Sequence, residues 1–310
     1  MASIAIVGSP TALGGHFGGM EHGPRLLRDA GLIDLLASRP GLTGQTIVDH
    51  GDAPNDPGWA ADDDPRAKNR ALIAAYLPRL AQHVERAIRR EPDDEAGGAT
   101  EPPRLLVLGG DCTSHSGALA GLKRARPDAR YAIAWFDAHG DFNTPDTTPS
   151  SNVWGMPFAM LLGRGDADLV EACNGPTVLE EDAALLGGQV LDEQESRMLA
   201  ASRVSHFGAG MLQTEAGMAA LAGWATVVGK RCDGIYIAFD LDAIDAADGV
   251  AVAMPEPDGI PTATAVEALR IIASAARVVG FGPTATMARD GLDLRHHAGI
   301  VAQLTEAALA

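Results

Sequence analysis

The sequence predicts an α/β fold: three layers, α/β/α, around a central and mainly parallel sheet. Three observations carry this reading. Apolar runs of strand length recur, each followed by a turn-rich segment and then by residues at helical spacing. The runs are apolar throughout rather than alternating, which is how strands covered on both faces read. Three of them also end in acidic side chains, at the carboxyl ends where such sheets build their sites.

In chain order, Ser3 to Val7 is the first strand, and Gly8, Pro10 and Gly14–Gly15 open a long loop. His22 to Leu32 sets Pro24 at a helix start and Gly31 at its end, the usual asymmetry of helix termini. Thr46 to Asp49 is a short strand, and Asp52 to Asp64, with Asp62–Asp64 in succession, a solvated loop. Ile73, Tyr76, Leu77, Leu80, Val84 and Ile88 recur at helical spacing, predicting a long amphipathic helix over Pro65 to Arg90. Glu91 to Pro103 is a polar connector. Leu105 to Leu108 is a strand, and a helix follows Gly109–Cys112 through Leu122. Tyr131 to Phe136, Val204 to Ala209, Ile235 to Phe239 and Val278 to Phe281 are further strands. Met156 to Leu162, Thr262 to Ala276 and the tail after Leu294 are helices.

The bulk numbers set limits. At 310 residues the chain is long for one domain, but no linker or fixed-period repeat divides it, so a single unit over 1–310 is expected. A formal charge of −17 argues against nucleic acid or an anionic membrane as partner and is compatible with a cationic small molecule. No run reaches the length of a spanning helix, and the first residues lack a basic leader. Three cysteines, Cys112, Cys173 and Cys232, are too few for a disulfide scaffold, so a reducing cytoplasm is expected.

The stretch that carries chemistry is Tyr131 to Trp154. Its strand empties into Asp137, His139 and Asp141, and alternate residues share a side, so the three can converge on one point. Oxygen-rich ligands with one imidazole suit a borderline divalent ion such as Mn²⁺. Taken singly, the stretch also reads as a loop of solvated acids. Two other strand ends contribute Asp111–Cys112 and Asp240, Asp242 and Asp245. So many acids brought together without cations would raise each other's pKa strongly, and a pair of ions activating a shared water is the natural use.

These motifs resemble the ureohydrolases, the family of arginase and agmatinase. GGDC at Gly109–Cys112, DAHGDFN at Asp137–Asn143 and DLDAID at Asp240–Asp245 are similar, in order, to that family's GGDH, DAHxDxN and DxDxxD. GGHFGGMEHGPRLLRDAGL resembles the arginase opening, and NTPDTTPSS keeps the length of its substrate loop. The resemblance implies an arginase-like fold and a metal-dependent hydrolase of a C–N bond in a linear amidine, acting through a metal-activated hydroxide. It implies Mn²⁺, two ions expected with one as the alternative, bridged by Asp137 and Asp240. Asp141 with Cys112 would complete one site, and His139 with Asp242 the other; His139 and Asp141 would also be catalytic. Asn143, Thr148 and Ser150 match the positions that hold an amino-acid carboxylate. It further implies a homo-oligomer, trimer or hexamer.

The chain departs from the family at several points. Cys112 stands where a metal-binding His is normal, and reads either as a ligand or as a small buried hydrophobe. His115, one turn on, either substitutes for it or lies on the helix surface. Trp154 occupies the place of a proton-shuttling His and becomes a candidate substrate contact. The acid that grips guanidinium has no match in Val278–Met287, which offers Thr284, Ala285 and Thr286; Glu256 or Asp290 would have to swing in. The aspartate near the substrate α-amino group is missing around Gly210–Met211. An arginase-like subgroup with the same Cys, similar to Nω-hydroxy-L-arginine amidinohydrolase, has a phrase close to His139–Thr148, so arginine, Nω-hydroxy-arginine or a related guanidino compound is the expected substrate. The alternatives are a tailoring enzyme for a non-guanidine substrate, marked by an apolar pocket around Trp154 and Phe142, and a non-catalytic binding protein.

Overall fold

The computed structural model describes residues 3–55, 64–89 and 101–310. Among the described residues, eight strands make one sheet: β1 (Ser3–Ser9), β2 (Thr46–Asp52), β3 (Arg104–Gly109), β4 (Tyr131–Asp137), β5 (Val178–Gly187), β6 (Ser205–Phe207), β7 (Gly234–Asp240) and β8 (Val278–Thr284). The order is β2-β1-β3-β8-β7-β4-β5-β6, and every neighbouring pair is parallel. The helices among the described residues are α1 (Gly23–Asp29), α2 (Leu32–Ala37), α3 (Arg70–Ile88), α4 (Thr113–Ala125), α5 (Pro157–Leu161) and α6 (Ala167–Ala172). They continue with α7 (Glu193–Ala200), α8 (Ala209–Leu212), α9 (Glu215–Arg231), α10 (Thr262–Ala275) and α11 (Leu294–Leu309).

Alternation along the strands sorts their side chains into two cores. Ile4, Ile6, Leu106, Leu108, Ala134, Phe136, Ile237 and Phe239 face the layer of α1, α2, α9, α10 and α11. Ala5, Val7, Leu105, Val107, Ile133, Trp135, Tyr236 and Ala238 face α3 to α7. Both faces are therefore buried, which is why the strands read as unbroken apolar runs.

β3 and β4 follow one another in sequence yet are separated in the sheet by β8 and β7. The four carboxyl ends of β3, β8, β7 and β4 thus lie side by side, where the strand order changes direction, and loops leaving them part to form a crevice.

Several elements differ from expectation. The long helix begins at Arg70 rather than Pro65, because Asn69 takes a left-handed backbone (φ 56°) and donates its amide to the Leu13 carbonyl at 2.9 Å. Gly31, at φ 87°, does end a helix, but α2 starts directly after it. The strand expected at Val204–Ala209 pairs with β5 only over Ser205–Phe207. β5 itself is masked in the sequence by Glu180, Glu181 and Asp182. Asp182 is fully buried and is neutralised by Arg130 at 2.7 Å and Arg231 at 2.5 Å. α9 is rich in alanine and glycine, and its apolar pattern has weak period. The loop expected at Asp52–Asp64 and the connector at Glu91–Pro103 fall largely outside the described residues.

Candidate metal centre and substrate cavity

Asp137 is the last residue of β4 and Asp240 the last of β7, adjacent strands in the sheet. Two residues beyond each, His139 and Asp242 turn to the same side, and Asp141 follows with its backbone in the left-handed region (φ 49°). Cys112 arrives from the β3 end. Two ligand groups result: Cys112 with Asp137 and Asp141, and Asp137 with His139 and Asp242. Within each group the ligand atoms lie within 4.8 Å of one another, and Asp137 belongs to both. Asp240 touches the first group, its Oδ2 accepting from the Cys112 thiol at 2.8 Å.

Surrounding groups aim these side chains. The Trp135 indole N–H donates to Asp137 Oδ2 at 3.1 Å and the His139 N–H to Asp137 Oδ1 at 2.7 Å. The Ala138 N–H donates to Asp242 Oδ1 at 3.2 Å, and the Asp242 N–H to Asp240 Oδ1 at 2.9 Å. His139 Nδ1 lies 3.3 Å from Asp137 and 3.2 Å from Asp242.

Asp137, Asp141, Asp240 and Asp242 are all buried. Burial, then the neighbouring Asp137, raises Asp141 well above the carboxylate range; burial, then Asp242, does the same to Asp240. Asp242 is raised to about 6, again by burial first and Asp137 second. Burial would lower His139, but the Asp242 charge and bonds to both acids outweigh it and raise its pKa. Burial and the Asp240 charge hold the Cys112 thiol up. Asp141 Oδ2 is buried with no hydrogen-bond partner. Clustered carboxylates with an orphaned oxygen, one imidazole and one sulfur form a donor set that fits divalent cations, and a cation would offset the burial and repulsion that push Asp141, Asp240 and Asp242 up.

A cavity of about 320 Å³ opens above this floor. One side is polar. Asn143 donates to Asp192 at 2.9 Å and accepts from Thr147 at 3.0 Å, while Thr148, Ser150 and Asn152 line the same side. This loop is held from outside by Lys68, which donates to Ser150 O at 3.0 Å and to Asn152 Oδ1 at 3.2 Å. Behind it Glu195 accepts from the Phe142 N–H at 2.8 Å, and burial raises its pKa to about 7. Trp154 lines the cavity too, with its ring against Gly15: a Cβ there would lie 1.8 Å from the indole, so only glycine allows this approach.

The Arginase family model matches residues 2–282. An arginase from Bacillus subtilis (strain 168) is 32% identical over 259 residues, covering 83% of this chain and 81% of that one. The chain belongs to the arginase family. A second relative, the arginase of Bacillus caldovelox, is 30% identical over 278 residues, 89% of this chain and 87% of its own. A solved structure of arginase from Bacillus caldovelox aligns with a TM-score of 0.84 at 27% identity, covering 100% of this chain and 99% of that one. Formimidoylglutamase from Bacillus subtilis, at 19% identity and a TM-score of 0.71, shares the fold. Arginase-family membership makes this chain a metal-dependent hydrolase of carbon–nitrogen bonds in amidines.

Within that family frame, several sequence expectations are corrected by geometry. His115 is neither on the helix surface nor among the ligand groups. It is fully buried beneath the site, with Nδ1 3.1 Å from the Tyr236 hydroxyl and Nε2 3.3 Å from Thr284 Oγ1, and burial lowers its pKa to about 3. Asp111 serves as a clamp, accepting from the Gly14 N–H at 2.7 Å and the Thr113 N–H at 2.9 Å. Asp245 caps a short turn through the Ala247 N–H at 2.8 Å and does not line the cavity. Phe142 lies in the core against Phe158, so the apolar part of the cavity is not built from it. Asp290 is exposed away from the cavity, whereas Glu256 stands 3.8 Å from His139 Nε2. An acid does lie beside Asn143, and it is Asp192, not a residue near Gly210–Met211. Asp192 and Glu195, missed in the sequence, form a capping box at the start of α7, a D-x-x-E spacing without catalytic signature.

Proposed function

We propose that the chain hydrolyses a carbon–nitrogen bond of a linear amidine carrying an amino-acid head group, with Mn²⁺ as its metal. Nω-hydroxy-arginine, arginine and related guanidino compounds are the first candidates. The observation that carries the reading is the pair of ligand groups sharing Asp137. Cys112, Asp137, Asp141 and Asp240 would hold one ion, and Asp137, His139, Asp240 and Asp242 a second. When bound, the ions supply Lewis acidity and a water acidic enough to attack near neutral pH.

The chain's own residues do the rest. Asn143, Thr148 and Ser150 offer an amide and two hydroxyls to a carboxylate, and Asp192, paired with Asn143, offers an acceptor to an ammonium group. Held at that end, the substrate extends its amidine carbon over the acid-lined floor, and orientation supplies much of the rate. The Trp135 N–H fixes the orientation of Asp137, the residue common to both ligand groups. Trp154 lines the cavity and has no capacity to carry a proton.

We infer a cytoplasmic homo-oligomer, trimer or hexamer, and a single unit over 1–310. The three cysteines are unpaired, and no described helix is long and apolar enough to cross a membrane. Incubation of Mn²⁺-loaded protein with arginine, Nω-hydroxy-arginine and agmatine, with urea and hydroxyurea read by mass spectrometry, tests the function. Product from at least one compound is expected; no product from any of them contradicts it.

A further inference from the structure

We propose that the cavity is shaped for an amidine whose outer nitrogen carries an uncharged, apolar substituent, the simplest being a short alkyl chain. This rests on the hydrolysis assigned above and adds the chemistry of the substrate's far end.

Beside His16 and Asp111, the apolar part of the remaining lining is drawn mainly from segments other than the polar loop's body: Met20 from the β1–α1 loop, Trp154, Ala253 and Met254 from the β7–α10 loop, and Ala285 just past β8. Most of these side chains belong to a third apolar cluster, separate from the two cores of the sheet, with Phe17 and Met287 packed behind. Apart from the strand-tip acids, the β7–α10 loop and the β8 exit place no carboxylate in the lining; Glu256 and Asp290 are not part of it. The N–H groups of an outer nitrogen turned towards this wall would leave water with no carboxylate of the wall to accept from them, which is costly. An alkyl group on the same nitrogen would instead cover methionine and indole surface, and thioethers adapt to such shapes.

The wall is held in place and does not act as a lid. The Ala285 N–H donates to Gly110 O at 2.7 Å, and the Ala253 N–H to Ala285 O at 3.1 Å. The Met287 N–H donates to Ala251 O at 2.9 Å, so the β7–α10 loop and the β8 exit form a short antiparallel ribbon. Buried His297 ties the ribbon to α11: Nδ1 accepts from the Ala251 N–H at 3.0 Å and Nε2 lies 2.9 Å from Thr286 Oγ1. Trp154 is seated on Gly14–Gly15 with ring neighbours Phe17 at 5.1 Å and His16 at 5.5 Å. A pre-formed apolar wall of this kind discriminates on size and polarity.

The reaction balances as simple hydrolysis. Water adds to the amidine carbon, the bond to the head-group nitrogen breaks, that nitrogen leaves as an amine with a proton from the water, and the outer fragment departs as an N-alkylurea.

The test compares arginine, Nω-hydroxy-arginine and Nω-propyl-arginine on Mn²⁺-loaded protein. Product ureas are read by mass spectrometry and binding by calorimetry. The propyl compound is expected to exceed arginine by roughly tenfold or more in kcat/KM and in affinity, the scale of a methylene or more in an apolar pocket. Ala285→Glu is expected to reverse that order, with Mn²⁺ content and the circular dichroism spectrum reporting that the variant is folded. Arginine turned over as well as the propyl compound would overturn the proposal and leave the hydrolysis reading intact. Tighter binding of the propyl compound with no urea from any substrate would support the wall and sink the hydrolysis. No hydrolysis and no preference in binding would overturn both.

Discussion

The two sides of the cavity are built in opposite ways. The polar side is one continuous loop, Asn143 to Asn152, bonded within itself and braced by Lys68 and the α7 start. The apolar side is assembled from Met20, Ala253, Met254 and Ala285, which are far apart in sequence and meet only because β1, β7 and β8 end close together. Each side borders the same acidic floor. On the proposed function, the difference teaches that head-group recognition would be written locally, whereas selection at the far end would depend on how the sheet is threaded. A change in the loop should affect binding by itself, and a change in the wall should propagate through the fold.

Substitutions can break this contrast, and the floor common to both sides should give the largest effect. Asp137→Asn removes the carboxylate shared by both ligand groups. Losing several kcal/mol of metal-based charge stabilisation corresponds to on the order of 10³-fold or more in kcat/KM. Steady-state rates and elemental analysis of the variant check it; near wild-type turnover would contradict the shared role.

Next comes the wall's anchor. Burial lowers His297 to about 4 from an ordinary 6.5, so the folded protein binds fewer protons there than the unfolded chain. Its contribution is complete above pH 6.5 and is lost as pH falls towards 4, on the order of 3 kcal/mol in all. Urea denaturation of the metal-free protein between pH 7 and 4 should show a steeper loss for wild type than for His297→Gln. Parallel curves would mean that His297 does not hold the ribbon as described.

Trp135→Phe keeps the stack on Phe158 at 5.1 Å but deletes the N–H that orients Asp137. Metal affinity should weaken by about 10–100-fold with little change in melting temperature. Titration with a competing chelator reads it, and an unchanged affinity would remove Trp135 from the account. Gly15→Ala should cost about 1–3 kcal/mol by forcing the indole of Trp154 aside, visible as a lower melting temperature. The smallest effect belongs to the local side. Asn143→Ala removes its bonds to Asp192 and Thr147, and KM should rise about fivefold for a loss near 1 kcal/mol while kcat holds. A fall in kcat with KM unchanged would place Asn143 in the chemistry instead.

What was legible in the sequence follows the same division. The central strands read correctly because both their faces are buried, and DAHGDFN and DLDAID mark the candidate ligands because alternate residues at a strand tip share a side. Asp192 and Glu195 stayed hidden because their approach to Asn143 and Phe142 is tertiary and their local spacing is that of any helix cap. The buried place of His115 is not legible locally because its polar partners, Tyr236 and Thr284, come from strands more than a hundred residues away. β5 escaped notice because Asp182 interrupts its apolar run, and the arginines that neutralise it lie on other elements. Met20, Met254 and Ala285 carry no motif at all; only the order of the strands makes them neighbours.

On the proposed function, the buried acids coexist because cations sit among them, with Asp137 common to both positions. Anomalous diffraction from crystals grown with Mn²⁺ addresses it directly. Peaks are expected between Cys112, Asp137 and Asp141 and between Asp137, His139 and Asp242. An empty centre at saturating Mn²⁺, with these side chains turned away from one another, would contradict the account.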